Sequence, residues 1–245
     1  MPEAKKLKYF VNGEWHESKT DRYMDVYDPS TGEVIAKAPQ CTSEEVLRAV
    51  EAAEKAFPEW SNTPVMKRVQ VLYKLRELML EHLDELTELV CRENGKVWGE
   101  AEGEVQKVIE HIEHACSMPS LLMGESLLDT SRGFDTVLYR EPVGVFVGIA
   151  PFNFPAMIPM GWMMPLCIAA GNTFVLKAAS MTPMTSMRIT ELLVEAGLPE
   201  GVVNIVTCSR REIDLLIQHP AVKGVSFVGS TPVGRIIYEK AAVNG

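Results

Sequence analysis

Cysteine is scarce in this sequence, and the few that occur are scattered. Five cysteines stand among 245 residues; they are odd in number and show no paired spacing. Disulfide frameworks and zinc ribbons need cysteines in paired or closely spaced positions. The pattern therefore excludes both architectures and indicates a reducing compartment, which we expect to be the cytoplasm, or the matrix of an organelle if a presequence has been removed.

Long apolar runs are missing as well. The longest apolar segment, residues 154–170, contains three prolines and is too short to cross a bilayer as a helix. The opening residues MPEAKKLKYF lack the apolar stretch that defines a secretory signal. We therefore expect neither a membrane association nor an export signal.

Positive charge is in deficit. The chain has 24 lysines and arginines against 33 acidic residues, a net charge of −9, and its densest basic stretch is the short segment KKLK at residues 5–8. A nucleic-acid-binding surface requires a concentrated basic patch, so we expect no such partner. The hydrophobic fraction of 47% and the charged fraction of 23% are typical of an ordinary globular protein with one or two domains.

Local patterns divide the chain into three segments. Residues 1–123 combine short alternating strands with amphipathic helices, one opened by the capping box Thr42–Glu45 and one predicted to run unbroken over residues 65–90. Residues 124–142 alternate around a Ser-Arg-Gly turn, which indicates a two-stranded ribbon. An isolated ribbon is marginal in water, so this segment needs a partner.

Residues 143–245 alternate between β-rich and helical patterns. Strands are predicted at 143–149, 173–177, 202–206 and 222–228. Thr182 is expected to cap the helix after the second strand, and Ser209 with Glu212 to form a capping box after the third. Successive βα units predict an α/β fold with a doubly wound parallel sheet, in which ligands bind outside the carboxyl ends of the strands.

Three polar groups fall at such ends, each with two interpretations. An amide fixed at Asn153 suits stabilisation of an oxyanion, although an asparagine can also simply close its own turn. Lys177 can donate to ribose hydroxyls or a phosphate, or extend to solvent from a strand edge. Gly229 and Ser230 precede a helix whose N–H groups favour an anion, or form an ordinary N-cap.

The common nucleotide and metal signatures are absent. No GxGxxG segment occurs, and in GSTPVGR the pair Arg235-Ile236 replaces the Lys-Ser/Thr of a P-loop. His111 and His114 share a helix face, but no second ligand pair accompanies them, so we expect no metal site.

Three motifs, in order, resemble the aldehyde dehydrogenase superfamily: PFNFP at 151–155, GNTFVLK at 171–177 and FVGSTPVG at 227–234. The stretch FNFPAMIPMGWMMPLCIAAGNTFVLK, preceded by HACSMPSLLMGE, most resembles the coenzyme-A-acylating methylmalonate-semialdehyde dehydrogenases. The resemblance spans nearly the whole chain but corresponds to the first half of such an enzyme. It implies an NAD-binding oxidoreductase that acts on a small aldehyde, with coenzyme A or water as the acyl acceptor.

The resemblance also implies roles for individual residues. Asn153 becomes the catalytic oxyanion donor, Lys177 binds the adenosine ribose and Ser230 contacts the pyrophosphate. The family has a glutamate at the position of Ser180, and because a hydroxyl does not repel a 2′-phosphate, NADP stays open beside NAD. The implied cofactor contacts are Ala150, Phe152, Lys177, Ser180, Met181, Gly229 and Ser230.

Catalysis in this family uses a cysteine thiolate, which the resemblance locates beyond the matching segment. None of the five cysteines corresponds to it, so we expect the chain alone to be inactive. Cys208, at a strand end before a helix, is an alternative nucleophile because a helix N-terminus lowers the pKa of a thiol. A further alternative is a non-catalytic chain that acts by association with a full-length dehydrogenase.

The resemblance assigns the remaining segments too. Lys107 stands where the methylmalonate-semialdehyde branch has an arginine for the substrate carboxylate; lysine keeps the charge but loses the bidentate fork. The 124–142 ribbon corresponds to the oligomerisation arm, so we expect a homo-oligomer. Residues 1–123 are then the N-terminal part of the cofactor-binding domain and 143–245 its Rossmann-like core, with the catalytic domain absent.

Overall fold

The computed structural model describes residues 4–244, in which strands and helices alternate from residue 145 onward. The strands are β1 (Lys5–Lys6), β2 (Tyr9–Val11), β3 (Glu14–His16), β4 (Tyr23–Asp28), β5 (Glu33–Pro39), β6 (Ser126–Ser131), β7 (Phe134–Val137), β8 (Val145–Ile149), β9 (Thr173–Lys177), β10 (Val203–Val206) and β11 (Val222–Phe227). The α-helices are α1 (Ser43–Asn62), α2 (Val65–Glu81), α3 (Leu83–Asn94), α4 (Trp98–Cys116), α5 (Met118–Leu121), α6 (Met164–Ala169), α7 (Met184–Glu195), α8 (Arg210–Ile217) and α9 (Thr231–Val243). A π-helix, Met157–Met163, precedes α6.

The central sheet has six strands in the order β11-β8-β9-β10-β2-β3. Strands β8 to β11 are mutually parallel, and β2 joins β10 antiparallel as part of a hairpin with β3. From β8 the chain advances through β9 to β10 and then returns to place β11 on the other side of β8. The prediction of a doubly wound sheet is therefore confirmed, and the strand order reverses between β8 and β11.

Helices cover both faces of this sheet. Phe174 and Leu176 of β9 face the larger core, which contains α2, α4, α6 and α7, whereas Val175 faces a second core formed with α1, α8 and α9. Because both faces are buried, the parallel strands read as nearly continuous apolar runs. Strands β1, β4 and β5 form a separate three-stranded sheet.

The predicted unbroken helix over residues 65–90 is wrong. The chain leaves helical geometry at His82 (φ −105°, ψ 19°), which ends α2 and precedes α3. The His82 ring contacts the Glu85 carboxylate at 2.7 Å across the start of α3. Apolar spacing continues on both sides of the break because both helices pack against α4 and α7. The apolar periodicity therefore does not reveal the break at His82.

Helix starts agree with the sequence in part. The capping box of α1 is confirmed: the Thr42 hydroxyl accepts from the Glu45 N–H at 3.3 Å, and the Glu45 carboxylate accepts from the Thr42 N–H at 2.8 Å. Ser209 accepts from the Arg211 N–H at 3.3 Å, but the Glu212 carboxylate accepts from the Ser209 hydroxyl instead of the backbone. The second capping box is therefore wrong in its reciprocal half.

Strands β6 and β7 pair only with each other among the described residues, and every residue in them is exposed. The exposed side chains include Leu127, Leu128, Phe134 and Val137. We call residues 126–137 the ribbon. Within residues 4–244, no helix combines the length and the apolar character needed to cross a membrane.

Candidate functional site

The carboxyl ends of β8, β9 and β11 lie side by side. Ile149 is in register with both Lys177 and Phe227. The Ala150 N–H donates to the Lys177 carbonyl at 3.2 Å, and the Val228 N–H donates to the Ile149 carbonyl at 3.4 Å. The segments that follow these strands therefore leave the sheet at one edge, beside the point where the strand order reverses. We call residues 150–155, 177–182 and 228–230 the C-terminal rim.

Asn153 lies on this rim in a turn, and its side chain is exposed. The carbonyl of Phe152 accepts from Asn94 Nδ2 at 2.9 Å and from the Thr182 hydroxyl at 3.3 Å. The backbone next to Asn153 is therefore held by side chains of other segments. The Asn153 side chain makes no hydrogen bond with any group in residues 4–244. The interpretation in which it closes its own turn therefore has no supporting contact.

Lys177 ends β9 and is half-buried. Burial lowers the pKa of its ammonium group. No carboxylate within residues 4–244 forms an ion pair with it. A partly desolvated cation without an anionic partner suits donation to hydroxyl or phosphate oxygens of a ligand.

The remaining rim candidates differ in exposure. Ala150 and Ser180 are buried, whereas Phe152 and Met181 present exposed apolar side chains beside them. Phe152, Met181 and Thr182 line a cavity together with Asn94.

The start of α9 is open. Ser230 occupies the N-cap position but its side chain caps no backbone N–H, and no acidic residue lies in the first turn. Pro232 has no N–H, so the N–H groups of Thr231 and Val233, with the positive end of the helix dipole, are left for an anion. Gly229 has a structural reason as well, since a Cβ there would lie 2.5 Å from the Phe227 ring.

None of the five cysteines is placed as a reactive thiolate. Burial raises the pKa of Cys208 to about 12, the pKa of Cys41 to about 12 and the pKa of Cys116 to about 11. Burial also raises the pKa of Cys91 and Cys167. Nucleophilic cysteines are thiolates in electropositive, accessible surroundings. The alternative based on Cys208 therefore lacks chemical support.

Lys107 is exposed on α4, and its ammonium group pairs with Glu110 at 2.5 Å. His111, one turn further along, accepts a hydrogen bond from the Trp162 indole at 2.7 Å. Within residues 4–244, no cluster of three or more histidine, cysteine, aspartate or glutamate side chains is arranged to hold a metal ion.

Two buried carboxylates that were not predicted from the sequence lie next to the rim, each bonded to the start of the helix that follows a rim segment. Glu93 accepts from the N–H groups of Met184 and Thr185 at 2.7 and 2.8 Å, and so caps α7 in place of Thr182, whose predicted capping role is wrong. Glu104 accepts from the first N–H groups of the π-helix. Both glutamates occupy positions in the buried stripes of their helices. A charged residue at a core position was the available signal.

The chain is similar in sequence and structure to known proteins. The sequence pattern of the "Aldehyde dehydrogenase family" matches residues 15–245. A malonate-semialdehyde dehydrogenase of Bacillus pumilus (strain SAFR-032) is 48% identical over 239 residues, which cover 98% of this chain and 49% of the relative. The crystal structure of a methylmalonate-semialdehyde dehydrogenase from Oceanimonas doudoroffii superposes with a TM-score of 0.95 at 41% identity, over 98% of this chain and 49% of that one.

A protein of Sinorhizobium meliloti 1021, solved in complex with NAD, is similarly close. Its TM-score is 0.96 at 37% identity, and the match covers all of this chain and 50% of that one. The chain therefore spans about half the length of the relatives that it matches.

Proposed function

Because this chain belongs to the aldehyde dehydrogenase family, we propose that it is the dinucleotide-binding part of an NAD-dependent enzyme that oxidises a small semialdehyde. The observation that carries the proposal is the meeting of Asn153, Lys177 and the open start of α9 on one rim, beside the point where the strand order reverses. Cofactors of doubly wound sheets bind in the crevice at such a point.

The residues of the rim fit a dinucleotide. A bound nicotinamide cofactor would accept hydride from the substrate. Lys177 would donate to ribose hydroxyls, and the free N–H groups at the start of α9 would hold the pyrophosphate. Ala150, Phe152, Ser180 and Met181 would line the same crevice, and the Asn153 amide would donate to the oxyanion that forms at the aldehyde carbon.

We propose further that the nucleophilic cysteine lies in polypeptide outside this chain, and that the chain alone does not turn over aldehyde. Support comes from the thiols, none of which is both accessible and prone to ionise. Malonate or methylmalonate semialdehyde is the proposed substrate, after the named relatives. Coenzyme A is the proposed acyl acceptor. Lys107 is the proposed contact for the substrate carboxylate, which would replace Glu110 as its ion-pair partner.

The cofactor proposal is tested by calorimetric titration of the chain with NAD and NADP. Because Ser180 carries no charge, we expect the chain to bind both. Ser180→Glu should weaken NADP binding at least tenfold and leave NAD binding within about twofold, since a carboxylate near a 2′-phosphate costs more than the about 1.4 kcal/mol that a tenfold change represents.

Ser180→Gln is the matched control, because it adds the same bulk without charge. If Gln and Glu weaken NADP binding equally, the effect is steric and the assignment of Ser180 is wrong. If the chain binds neither dinucleotide, the proposed function itself is contradicted.

The ribbon supports a second proposal, association between copies of the chain. Its apolar side chains are exposed and its strands have no further sheet partner among the described residues. We expect the chain to form an oligomer in light scattering, and Leu128→Ser with Phe134→Ser to reduce it to single chains, because apolar burial drives association.

Val243→Ser, on the equally exposed end of α9, is the control and should leave the oligomer intact. A wild-type chain that is already monomeric would contradict the assembly proposal.

The same surface supports the alternative function, a non-catalytic chain that docks on a full-length dehydrogenase. Five free thiols support the cytoplasm as the compartment.

A further inference from the structure

A buried ion pair lies directly beneath the loop that carries Asn153. One oxygen of Glu104 accepts from the N–H groups of Ala156 and Met157 at 2.8 and 3.1 Å. Its other oxygen pairs with the Lys96 ammonium. The side chains of Glu104 and Lys96 are 1% and 14% exposed, so both charges are largely removed from water. Groups buried in this way hold their geometry because separation leaves a charge without a partner.

Lys96 also contacts the loop. Its Nζ lies 3.7 Å from the centroid of the Phe154 ring, a cation–π distance. Phe154 is the residue directly after Asn153. The pair therefore holds the chain at Phe154 through the ring and at Ala156 through the backbone, while the Asn153 side chain stays exposed.

Glu104 accepts from backbone N–H groups that have no backbone acceptor. The first N–H groups of a helix lack acceptors within the helix, and the π-helix begins at Met157. A carboxylate at that position satisfies the N–H groups and faces the positive end of the helix. Ser186 adds a contact from α7, since its hydroxyl donates to the Pro155 carbonyl at 2.7 Å.

We propose that Glu104 and Lys96 are positioning residues that fix the backbone from which the Asn153 side chain projects. Neither touches the substrate; both act through Phe154 and the start of the π-helix. The inference rests on the proposed function of Asn153 as the donor to the oxyanion. A donor contributes to such a site only when it is preorganised, because reorientation during the reaction offsets the stabilisation.

The test is nuclear magnetic resonance on the full chain without cofactor. The side-chain NH₂ signal of Asn153 is assigned as the one that disappears in Asn153→Asp. In Glu104→Gln we expect this signal to shift, because the backbone that carries Asn153 is held less firmly. We expect amide exchange at Ala156 and Met157 to accelerate about tenfold, because a neutral acceptor is weaker than a charged one.

Glu110→Gln is the matched control, since Glu110 is an exposed, ion-paired glutamate on the same helix. It should leave all three signals unchanged. The double variant Lys96→Met with Glu104→Gln leaves no unpaired charge, so it should fold. We expect its Asn153 side-chain signal to shift as in Glu104→Gln. Lys96→Arg, which keeps the charge and the ring contact, should retain the wild-type signals.

An unchanged Asn153 signal in both Glu104→Gln and the double variant would overturn the proposal, as would an equal change in Glu110→Gln. The readout needs no cofactor or substrate. Failure of dinucleotide binding would therefore contradict the proposed function while leaving this result separately measurable. Cofactor affinity is expected to stay within about twofold in these variants, because Lys177 and the start of α9 are untouched.

Discussion

Replacing Lys177 by methionine is expected to weaken dinucleotide binding about 10- to 100-fold, because hydrogen bonds from a charged group are worth about 1.5–3 kcal/mol. Methionine has a similar length and fills the same half-buried space at the end of β9, so the loss is confined to the charge and its donors. Calorimetric titration of the variant and the wild-type chain with NAD measures the effect.

The stability of the same variant distinguishes a binding role from a structural one. Lys177 is partly desolvated and has no carboxylate partner among residues 4–244, and burial lowers its pKa. Removing such a charge should leave the free energy of unfolding unchanged or raise it. We therefore expect affinity to fall while the urea midpoint does not.

Lys223→Met is the control. Lys223 is an exposed lysine near the amino end of β11, at the opposite edge of the sheet from the C-terminal rim, where its ammonium group donates to the Pro220 carbonyl. It should bind NAD as the wild type does. A Lys177→Met variant with wild-type affinity would show that Lys177 does not contact the cofactor.

The second large effect concerns pH and Glu93. Burial raises the pKa of this carboxyl from 4.5 to about 7, against the opposing hydrogen bonds from Thr185 and Met184. Between these two pH values the folded chain holds a proton that the unfolded chain has released, so stability falls as pH rises. One pKa unit corresponds to 1.36 kcal/mol, so protonated Glu93 contributes about 3 kcal/mol to the free energy of unfolding. This contribution is lost above a pH of about 7.

Glu93→Gln, which cannot ionise, isolates this contribution. The stability advantage of wild type over the variant should shrink by about 3 kcal/mol between about pH 4.5 and pH 8 in urea unfolding, because other groups cancel in the difference. A difference that stays constant over this range would show that Glu93 is ionised throughout, held as a carboxylate by the N–H groups of α7.

Glu85→Gln is the control of opposite sign. The Arg188 guanidinium holds the pKa of the Glu85 carboxyl below its ordinary value, and the group is substantially exposed. Its contribution is present above the unfolded pKa and is lost as pH falls. The advantage of wild type over Glu85→Gln should therefore not shrink as pH rises.

Much of the fold follows from local pattern. Alternation of apolar strands and amphipathic helices after residue 143 gives the parallel sheet, and strand ends then bring Asn153, Lys177 and Ser230 toward one edge. The capping box at Thr42 involves residues three apart, so the sequence reveals it directly. These features depend on periodicity and on contacts between near neighbours.

Other features have no local signature. The break at His82 interrupts an apolar stripe that continues on both sides, so spacing alone cannot locate it. Thr182 has the residue type of a cap and lies next to a proline, yet its hydroxyl donates to Phe152, because Glu93 already occupies the N–H groups of α7. The two oxygens of Glu93 reach both Met184 and Thr185, whereas a hydroxyl offers a single oxygen.

By itself, the sequence determined the doubly wound class, the family and the three strand ends at which polar groups gather, since each follows from residue order. Only the tertiary structure decided how those groups are held and that burial keeps the thiols protonated. Glu104 meets Ala156 across 52 residues and Glu93 meets Met184 across 91. Contacts at such separations, and the burial that raises the pKa of Cys208, exist only once the helices have packed on the sheet.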